Sequence, residues 1–206
     1  MSFEWGDYEL YSPGILGPPN ALPRAEARGA FKRCMETKPD RLVLLSRLLM
    51  VNGVELGTSD AAIQDLNDWF STNVESDPER PGRLLPNWYS VVHDIALFLG
   101  DVMIERHANL YWEFFTWGKT NASFQRHVIM GFSTEDQKFH TNVDIDRMVS
   151  TYAHRIVESR GSIPSYGVRN IRGAKVDVDV AVTRHGRREI EADAFWRWLQ
   201  MVAQRA

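Results

Sequence analysis

Residues 88–132 constrain the fold most, because the hydrophobic period changes within this stretch. Between residues 88 and 106 the apolar side chains recur at intervals of three and four, which places them along one side of an α-helix. Over residues 110–117 and 124–132 the period falls to two, and a Gly-Lys-Thr-Asn turn separates the two segments. Alternation rich in aromatic and β-branched residues is typical of strands. The stretch therefore predicts a long helix followed by a β-hairpin.

Two details of the predicted helix concern its surroundings. Ser90, Asp94, Asp101 and Glu105 lie opposite the apolar side, so we expect these residues to face solvent. Gly100 lies in the helix interior, where glycine costs about 1 kcal/mol relative to alanine. We therefore expect another backbone, such as that of a strand, to pass close to Gly100.

The other segments complete an α+β pattern. Apolar residues at helical spacing predict helices over 24–36, 41–50, 60–74, 141–160 and 188–204, with Pro39 separating the first two. Thr141 has the character of an N-cap for the fourth of these helices. Residues 175–182 alternate strictly between polar and apolar, which predicts a strand with one wet face. We therefore expect a small antiparallel sheet, made of the hairpin at about 110–132 and the strand at about 175–182, packed by several amphipathic helices.

The predicted elements divide the chain into three parts. Residues 1–24 contain four prolines and four aromatic residues, so we expect an extended N-terminal arm whose aromatic side chains dock on the body or on a neighbouring subunit. Residues 25–160 form the predicted α+β core domain. Residues 161–206 form a C-terminal strand and helix that we expect to pack on this core.

The composition is that of an ordinary globular protein. Of 206 residues, 44% are apolar and 25% are charged, and seven tryptophans and ten phenylalanines are available to fill a core. The single cysteine, Cys34, excludes an internal disulfide and favours a reducing compartment. No apolar run approaches the ~20 residues of a membrane span, and the N-terminus lacks the pattern of a secretory signal. We therefore expect a cytoplasmic protein without a membrane partner.

Charge and surplus aromatic residues indicate where a partner would bind. Residues 55–79 contain seven acidic residues and no lysine or arginine, whereas residues 160–188 contain seven basic and two acidic residues. The acidic segment either attracts a basic protein or solvates one face of the molecule. The net charge of −3 argues against a nucleic-acid partner. The expected binding residues are Asp60, Asp65, Asp68, Trp117 and Trp196.

Three other motifs carry little chemistry. Gly118-Lys119-Thr120 lacks the second glycine of a phosphate-binding loop, because Glu113 occupies that position, and a strand follows in place of a helix. His127 is expected to pair with Glu113 across the hairpin. Cys34 has no neighbouring sequence signal of a nucleophile, so we expect a buried thiol.

His93 and Asp94 are adjacent on the predicted helix, as in the His-Asp dyad of metal-dependent phosphohydrolases. A metal site would need further ligands from other helices. The candidates are His107, His140, Asp144, Asp146 and His154. Because several of these have structural explanations, such as carboxylates in the first turn of a helix, we expect no catalytic residue, metal or cofactor. A small metal-dependent hydrolase using His93 and Asp94 stays open as an alternative.

Residues 96–103, Ala-Leu-Phe-Leu-Gly-Asp-Val-Met, are followed by Trp112 in the first predicted strand. This pattern resembles that of uncharacterised bacterial small α+β domains, in which a Leu-Gly-Glu-type helix precedes a Trp-containing strand. The similarity covers about residues 50–160, and Asp101 stands where the pattern has glutamate. Such domains are in some cases encoded beside toxin or defence genes. The resemblance therefore implies an immunity-like or partner-binding role and no catalytic residues.

These observations lead to three hypotheses about function. The first is a non-enzymatic bacterial protein-binding domain, toxin-neutralising or accessory, with a basic protein as its partner. The second is the metal-dependent hydrolase described above. The third is a homo-oligomeric structural protein that associates through its N-terminal arm or its C-terminal helix.

Overall fold

A computed structural model describes residues 3–80, 82–133, 141–160, 170–171, 174–175 and 191–206. Within these ranges the chain forms five α-helices, two antiparallel strand pairs and a 3₁₀ turn at Pro19–Ala21. The α+β class is therefore confirmed. Of the strand predicted at 175–182, only Lys175 is among the described residues. The elements are α1 (Arg24–Val51), α2 (Asp60–Asn73), α3 (Pro86–Arg106), β1 (Tyr111–Phe114), β2 (His127–Met130), α4 (Ile145–Arg160), β3 (Asn170–Ile171), β4 (Ala174–Lys175) and α5 (Ala194–Ala203).

Helix α3 forms the centre of the molecule and is in contact with α1, α4 and α5. Every residue from 91 to 100 is buried, so the helix has no solvated side along this length. The prediction that Ser90 and Asp94 face solvent was therefore wrong, because the N-terminal arm covers Ser90 and α1 covers Asp94. Arg41 of α1 forms an ion pair with Asp94 there.

Helix α1 is continuous through Pro39, so the predicted break at this proline was wrong. A proline inside a helix removes one backbone hydrogen bond and crowds the preceding turn. Contacts between α1 and α3 compensate on both sides of the proline: Lys38 pairs with Asp101 and Arg41 pairs with Asp94. Tertiary packing therefore overrides the local preference of the sequence.

The hairpin forms as predicted, but its paired strands have four residues each and are shorter than expected. In the register of the two strands, Phe114 lies opposite His127 and Glu113 lies opposite Val128. The predicted Glu113–His127 pair was therefore wrong. An additional bridge between Ile129 and Val143 connects the hairpin to the segment before α4.

Gly100 has the close neighbour that its place in the helix predicts, but that neighbour is a side chain. A Cβ atom added at Gly100 would lie 2.2 Å from Cζ2 of Trp112 on β1. The indole Nε1 of Trp112 donates a hydrogen bond of 2.8 Å to Asp101, the residue that follows Gly100 in α3. Glycine is therefore needed here, because a side chain would occupy the space that the indole of Trp112 fills.

Two helix starts differ from the sequence prediction. The side chain of Asp144, and not that of Thr141, accepts a hydrogen bond from the Arg147 backbone N–H at 3.0 Å and caps α4. Helix α5 begins at Ala194, later than the predicted residue 188, because residues 191–193 are not helical. Helix α2 begins at residue 60 as predicted, and Ser59 caps it by accepting a hydrogen bond from the Ala62 N–H.

The N-terminal arm packs on the body of its own chain. The rings of Phe3 and Trp5 lie 5.2 and 5.5 Å from the ring of Trp88, which is fully buried in the core. Asn52 exchanges two hydrogen bonds with the backbone of Glu4. The arm therefore contributes to the hydrophobic core. The predicted division at residue 160 stays a prediction, because residues 161–169 are not described.

Candidate functional site

A pocket of about 490 Å³ lies between the N-terminal arm, α1, the first half of α3, the hairpin and the start of α4. Such a volume is within the usual range of small-molecule sites. Apolar side chains from the arm and α1 form much of its wall, and titratable side chains from four different elements meet at one side. The apolar residues include Leu10, Ile15, Ala27, Ala30 and Phe31. The cysteine, histidine, arginine and aspartate residues of the lining are Cys34, His93, Arg126, His127 and Asp146.

The folded elements bring these polar residues together from distant parts of the sequence. Cys34 is on α1 and His93 is on α3, and the packing of the two helices places their side chains in contact. His127 is the first residue of β2. Asp146 is the second residue of α4, where the helix dipole favours a carboxylate.

Cys34, His93 and Asp146 form a linear series of contacts. The thiol Sγ of Cys34 lies 3.7 Å from Nε2 of His93. The other ring nitrogen of His93, Nδ1, lies 3.4 Å from Oδ1 of Asp146. The ring of Tyr11 stacks on the imidazole of His93 at 3.9 Å with an interplanar angle of 13°. The imidazole is therefore fixed between a thiol and a carboxylate, with an aromatic ring on one face.

Arg126 holds the carboxylate end of this series. Its Nε donates to Asp144 at 2.7 Å and its Nη2 donates to Oδ2 of Asp146 at 2.6 Å. Charge-assisted bonds of this kind are stronger than neutral ones. The guanidinium therefore fixes Asp146 and leaves Oδ1 directed at His93.

The electrostatics keep His93 charged and His127 neutral. Burial lowers the pKa of His93, but hydrogen bonds and charges of Asp146 and Cys34 outweigh this and raise the pKa to about 9. Burial disfavours the charged form of Asp146, yet the hydrogen bond from His93 and nearby positive charges hold its pKa well below the usual range. For His127 burial lowers the pKa to about 4, and the charges of His93 and Arg126 act in the same direction.

His127 is the second histidine in the lining of the pocket. Its Nε2 is buried and has no hydrogen-bond partner among the residues that the structure describes. The ring lies 5.6 Å from that of His93, at nearly a right angle. One donor atom each of His93, His127 and Asp146 lies within 4.8 Å of the other two. A buried nitrogen without a hydrogen-bond partner needs an explanation, because such groups are rare in folded proteins.

The structure gives His93 and Asp94 different partners, which argues against the alternative in which the two residues act as one dyad. Successive residues of a helix point in directions about 100° apart. Asp94 therefore faces α1, where its carboxylate accepts bonds from Nε and Nη2 of Arg41 at 2.9 and 2.6 Å. The hydroxyl of Tyr8 donates to the same group. Asp94 is part of a buried structural network, and Asp146 takes the place beside His93.

Of the other predicted metal ligands, only Asp146 joins His93. Asp144 binds Arg126 and caps α4. His107 is the C-cap of α3, and Nδ1 of His154 lies 2.8 Å from the carbonyl oxygen of Ser150 on its own helix. His140 lies outside the described residues.

The predicted binding residues lie on the surface, away from this pocket lining. Asp60, Asp65 and Asp68 are exposed on α2. Asp60 pairs with Arg106 at 2.8 Å and accepts a hydrogen bond from Nε1 of Trp196. Trp117 follows β1 and is 54% exposed. The role of these residues in binding a partner stays a prediction.

A larger cavity of about 1140 Å³ lies beside α4 and α5. Arg147, Arg155, Glu158 and Trp198 contribute to its lining. Its border includes residues next to segments that the structure does not describe, such as Asn142 and Ser159. We therefore assign no site to it.

Known proteins give no guide to the role of the pocket. Comparisons with models of protein families, with curated proteins and with solved structures found no match. The resemblance to small bacterial α+β domains therefore stays an expectation. In the part of the chain that the structure describes, no helix combines the length and the apolar composition needed to cross a membrane. The function of the pocket is inferred from its own residues.

Proposed function

We propose that the protein is a thiol-dependent hydrolase of small apolar esters or thioesters, with Cys34 as nucleophile. The observation that carries this proposal is the order Cys34–His93–Asp146 at the wall of a pocket of ligand size. A nucleophile next to a base, with the base oriented by a third group, is the usual arrangement for covalent catalysis. Contacts of 3.4–3.7 Å agree with the loose geometry of such groups in the absence of substrate.

The charge distribution supports this role for the thiol. The thiolate is the reactive form of cysteine, and a neighbouring imidazolium stabilises it. The raised pKa of His93, about 9, keeps the imidazole positively charged at neutral pH. Asp146, fixed by Arg126, stabilises that positive charge from the opposite side.

The proposed reaction has two steps. The Cys34 thiolate attacks the carbonyl carbon and forms a C–S bond; the bond to the leaving group breaks, and the leaving group takes a proton from the His93 imidazolium. Water then attacks the thioester carbonyl while the neutral imidazole accepts a proton from it. Release of the carboxylic acid restores the thiolate and the imidazolium. The net reaction is hydrolysis.

Tyr11 is the residue proposed to stabilise the oxyanion of each step. Burial, together with the charge of the adjacent Cys34, raises the pKa of Tyr11 well above its usual value, so the phenol keeps its proton. A neutral phenol beside the thiol is a hydrogen-bond donor for negative charge that develops on the carbonyl oxygen. The apolar wall formed by Ile15, Ala30 and Phe31 favours an uncharged acyl chain.

The proposal is tested with p-nitrophenyl butyrate and intact-mass spectrometry. Wild-type protein is expected to release p-nitrophenol and to carry a transient butyryl adduct on Cys34. Cys34→Ala and Cys34→Ser should lose both signals, whereas the matched histidine control His154→Ala should keep them. Turnover that persists in Cys34→Ala would contradict the proposal.

A second candidate function, protein binding by the acidic side of α2, is favoured by one contact. The hydrogen bond between Trp196 and Asp60 joins the exposed indole of α5 to the acidic residues of α2. Exposed tryptophan beside a charged surface is typical of binding sites. We propose a basic protein, in the bacterial cytoplasm, as the partner of this surface.

Charge reversal on two helices tests the second candidate. Changing Asp60, Asp65 and Asp68 to lysine is expected to abolish capture of a stoichiometric partner from the native host. In the control variant, Glu26, Glu36 and Asp40 on α1 are changed to lysine. These three residues are also exposed, and their replacement changes the net charge by the same amount. Equal capture by both triple variants would rule out the α2 surface.

A further inference from the structure

His93, His127 and Asp146 present three donor atoms of the types that bind transition metals. One donor atom of each residue lies within 4.8 Å of the other two. Imidazole nitrogen and carboxylate oxygen together are ligands of Zn²⁺ and of related divalent ions. The three residues come from α3, β2 and α4, so the packing of the fold holds the donors together.

Only small movements separate this arrangement from a coordination shell. For three atoms at most 4.8 Å apart, some point lies within about 2.8 Å of all of them. Zn–N bonds are about 2.0–2.1 Å long, so shifts of less than about 1 Å would complete three bonds. Rotations of the side chains can provide shifts of this size without a change of backbone.

The unpaired Nε2 of His127 is an independent indication of a ligand. This nitrogen is buried and lacks a hydrogen-bond partner among the described residues. Leaving a buried polar atom unpaired costs about 1–3 kcal/mol. A metal ion between His93 and His127 would supply the missing partner, because a neutral imidazole nitrogen is a metal ligand.

Arg126 lies beside the three donors, and its positive charge opposes a cation. The guanidinium is shared, however, because it bonds Asp144 as well as Asp146. Asp144 alone can balance the charge of Arg126, which leaves the charge of Asp146 for a metal ion. Hydrogen bonds to a ligating carboxylate also orient it, as second-layer groups do in other metal sites.

We propose that His93, His127 and Asp146 bind a divalent transition-metal ion of the Zn²⁺ class. All three residues line the pocket, so the remaining coordination position faces its interior. The open position is available to water or to a small anionic ligand. Cys34 contacts Nε2 of His93, whereas Asp146 contacts Nδ1, so Cys34 is not part of the proposed ligand set.

The metal site has a consequence that rests on the proposed hydrolase function. Bound Zn²⁺ would occupy His93 and Asp146 together, and both are needed in the contact series with Cys34. The metal ion would displace one proton of the His93 imidazolium. The imidazole could then no longer transfer that proton to the leaving group. Zn²⁺ is therefore expected to inhibit hydrolysis reversibly.

Calorimetric titration of the metal-free, full-length protein with ZnCl₂ tests the site without reference to activity. Wild type is expected to bind one ion. His127→Gln and Asp146→Asn should each weaken binding by at least about 100-fold, since even second-layer changes cost 10–100-fold. His107→Gln is the matched histidine control, and Cys34→Ser should bind as wild type does. Circular dichroism establishes that each variant is folded.

The outcomes separate the two proposals. Zn²⁺ binding of equal strength in wild type, His127→Gln and Asp146→Asn would overturn the metal site, as would no stoichiometric binding to wild type. Loss of binding in Cys34→Ser would overturn the ligand set. Zn²⁺ that binds to a protein without esterase activity would overturn the hydrolase proposal alone.

Discussion

At the scale of single residues, neighbours in sequence have different roles in this protein. His93 faces the pocket, while Asp94 faces α1 and its buried ion pair with Arg41. Of the two residues in the His-Asp pattern, only His93 lies in the candidate site, because adjacent positions on a helix diverge by about 100°. The carboxylate that contacts His93 is that of Asp146, which is 53 residues away in the sequence.

The charge of His93 gives a testable pH dependence. Its pKa of about 9 in the folded state lies above the ordinary value of 6.5, so protonation stabilises the folded protein. That stabilisation is complete below pH 6.5 and is lost as the pH rises through 9. In metal-free protein, NMR titration should show the raised pKa, and Asp146→Asn should lower it. An unchanged pKa in Asp146→Asn would contradict the role of this carboxylate.

Gly100 gives a prediction about packing. Gly100→Ala would place a methyl group 2.2 Å from the Trp112 ring, so we expect a loss of about 1–3 kcal/mol in the free energy of unfolding. Gly29→Ala on α1 is the matched control, because its nearest neighbour is the end of the flexible Arg33 side chain at 3.4 Å. That change should be neutral or stabilising. Urea denaturation measures both, and equal stability of the two variants would contradict the packing.

At the scale of elements, the sequence predicted most helices well and the details of their ends poorly. Apolar periodicity is a local signal, so α2, α3 and α4 were found in nearly the right places. The continuity of α1 through Pro39 depends on contacts with side chains of α3. The local sequence around Pro39 carries no information about these contacts. The short length of β1 and β2 similarly depends on what the hairpin packs against.

The ion pair between Arg41 and Asp94 connects α1 to α3 and is expected to contribute strongly to their packing. Both side chains are buried, at 8% and 0% exposure. Removing one partner leaves an uncompensated buried charge, so Arg41→Met should cost about 3–5 kcal/mol. The double variant Arg41→Met, Asp94→Leu should recover much of this loss.

The exposed pair between Arg47 and Asp7 is the control for this experiment. Its side chains are 54% and 69% exposed. Arg47→Met should therefore change the free energy of unfolding by less than about 1 kcal/mol. If Arg41→Met is as mild as Arg47→Met in chemical denaturation, the buried network does not hold the two helices together.

At the scale of the whole molecule, the candidate site could not be predicted from the sequence. Cys34 precedes His93 by 59 residues, and Asp146 follows it by 53. Their meeting depends on the angle at which α1, α3 and α4 pack, which periodicity does not specify. The sequence offered no local signal, because His93 lies roughly opposite the apolar side of α3 and Cys34 has no flanking motif of a nucleophile. The expectation of a buried thiol at Cys34 was correct as to burial, at 3% exposure.

The N-terminal arm contributes both to the stability of the molecule and to the covering of its pocket. Its first residues pack on Trp88, and its later residues, including Tyr11 and Ile15, line the pocket beside Cys34. Deleting residues 2–12 should therefore lower the Tm. It should also accelerate the alkylation of Cys34 by iodoacetamide, which intact-mass spectrometry measures at a temperature where the variant is folded. Leu16→Ala, at a position that is 94% exposed, should change neither quantity. Equal alkylation rates in the deletion variant and in wild type would show that the arm does not cover the thiol.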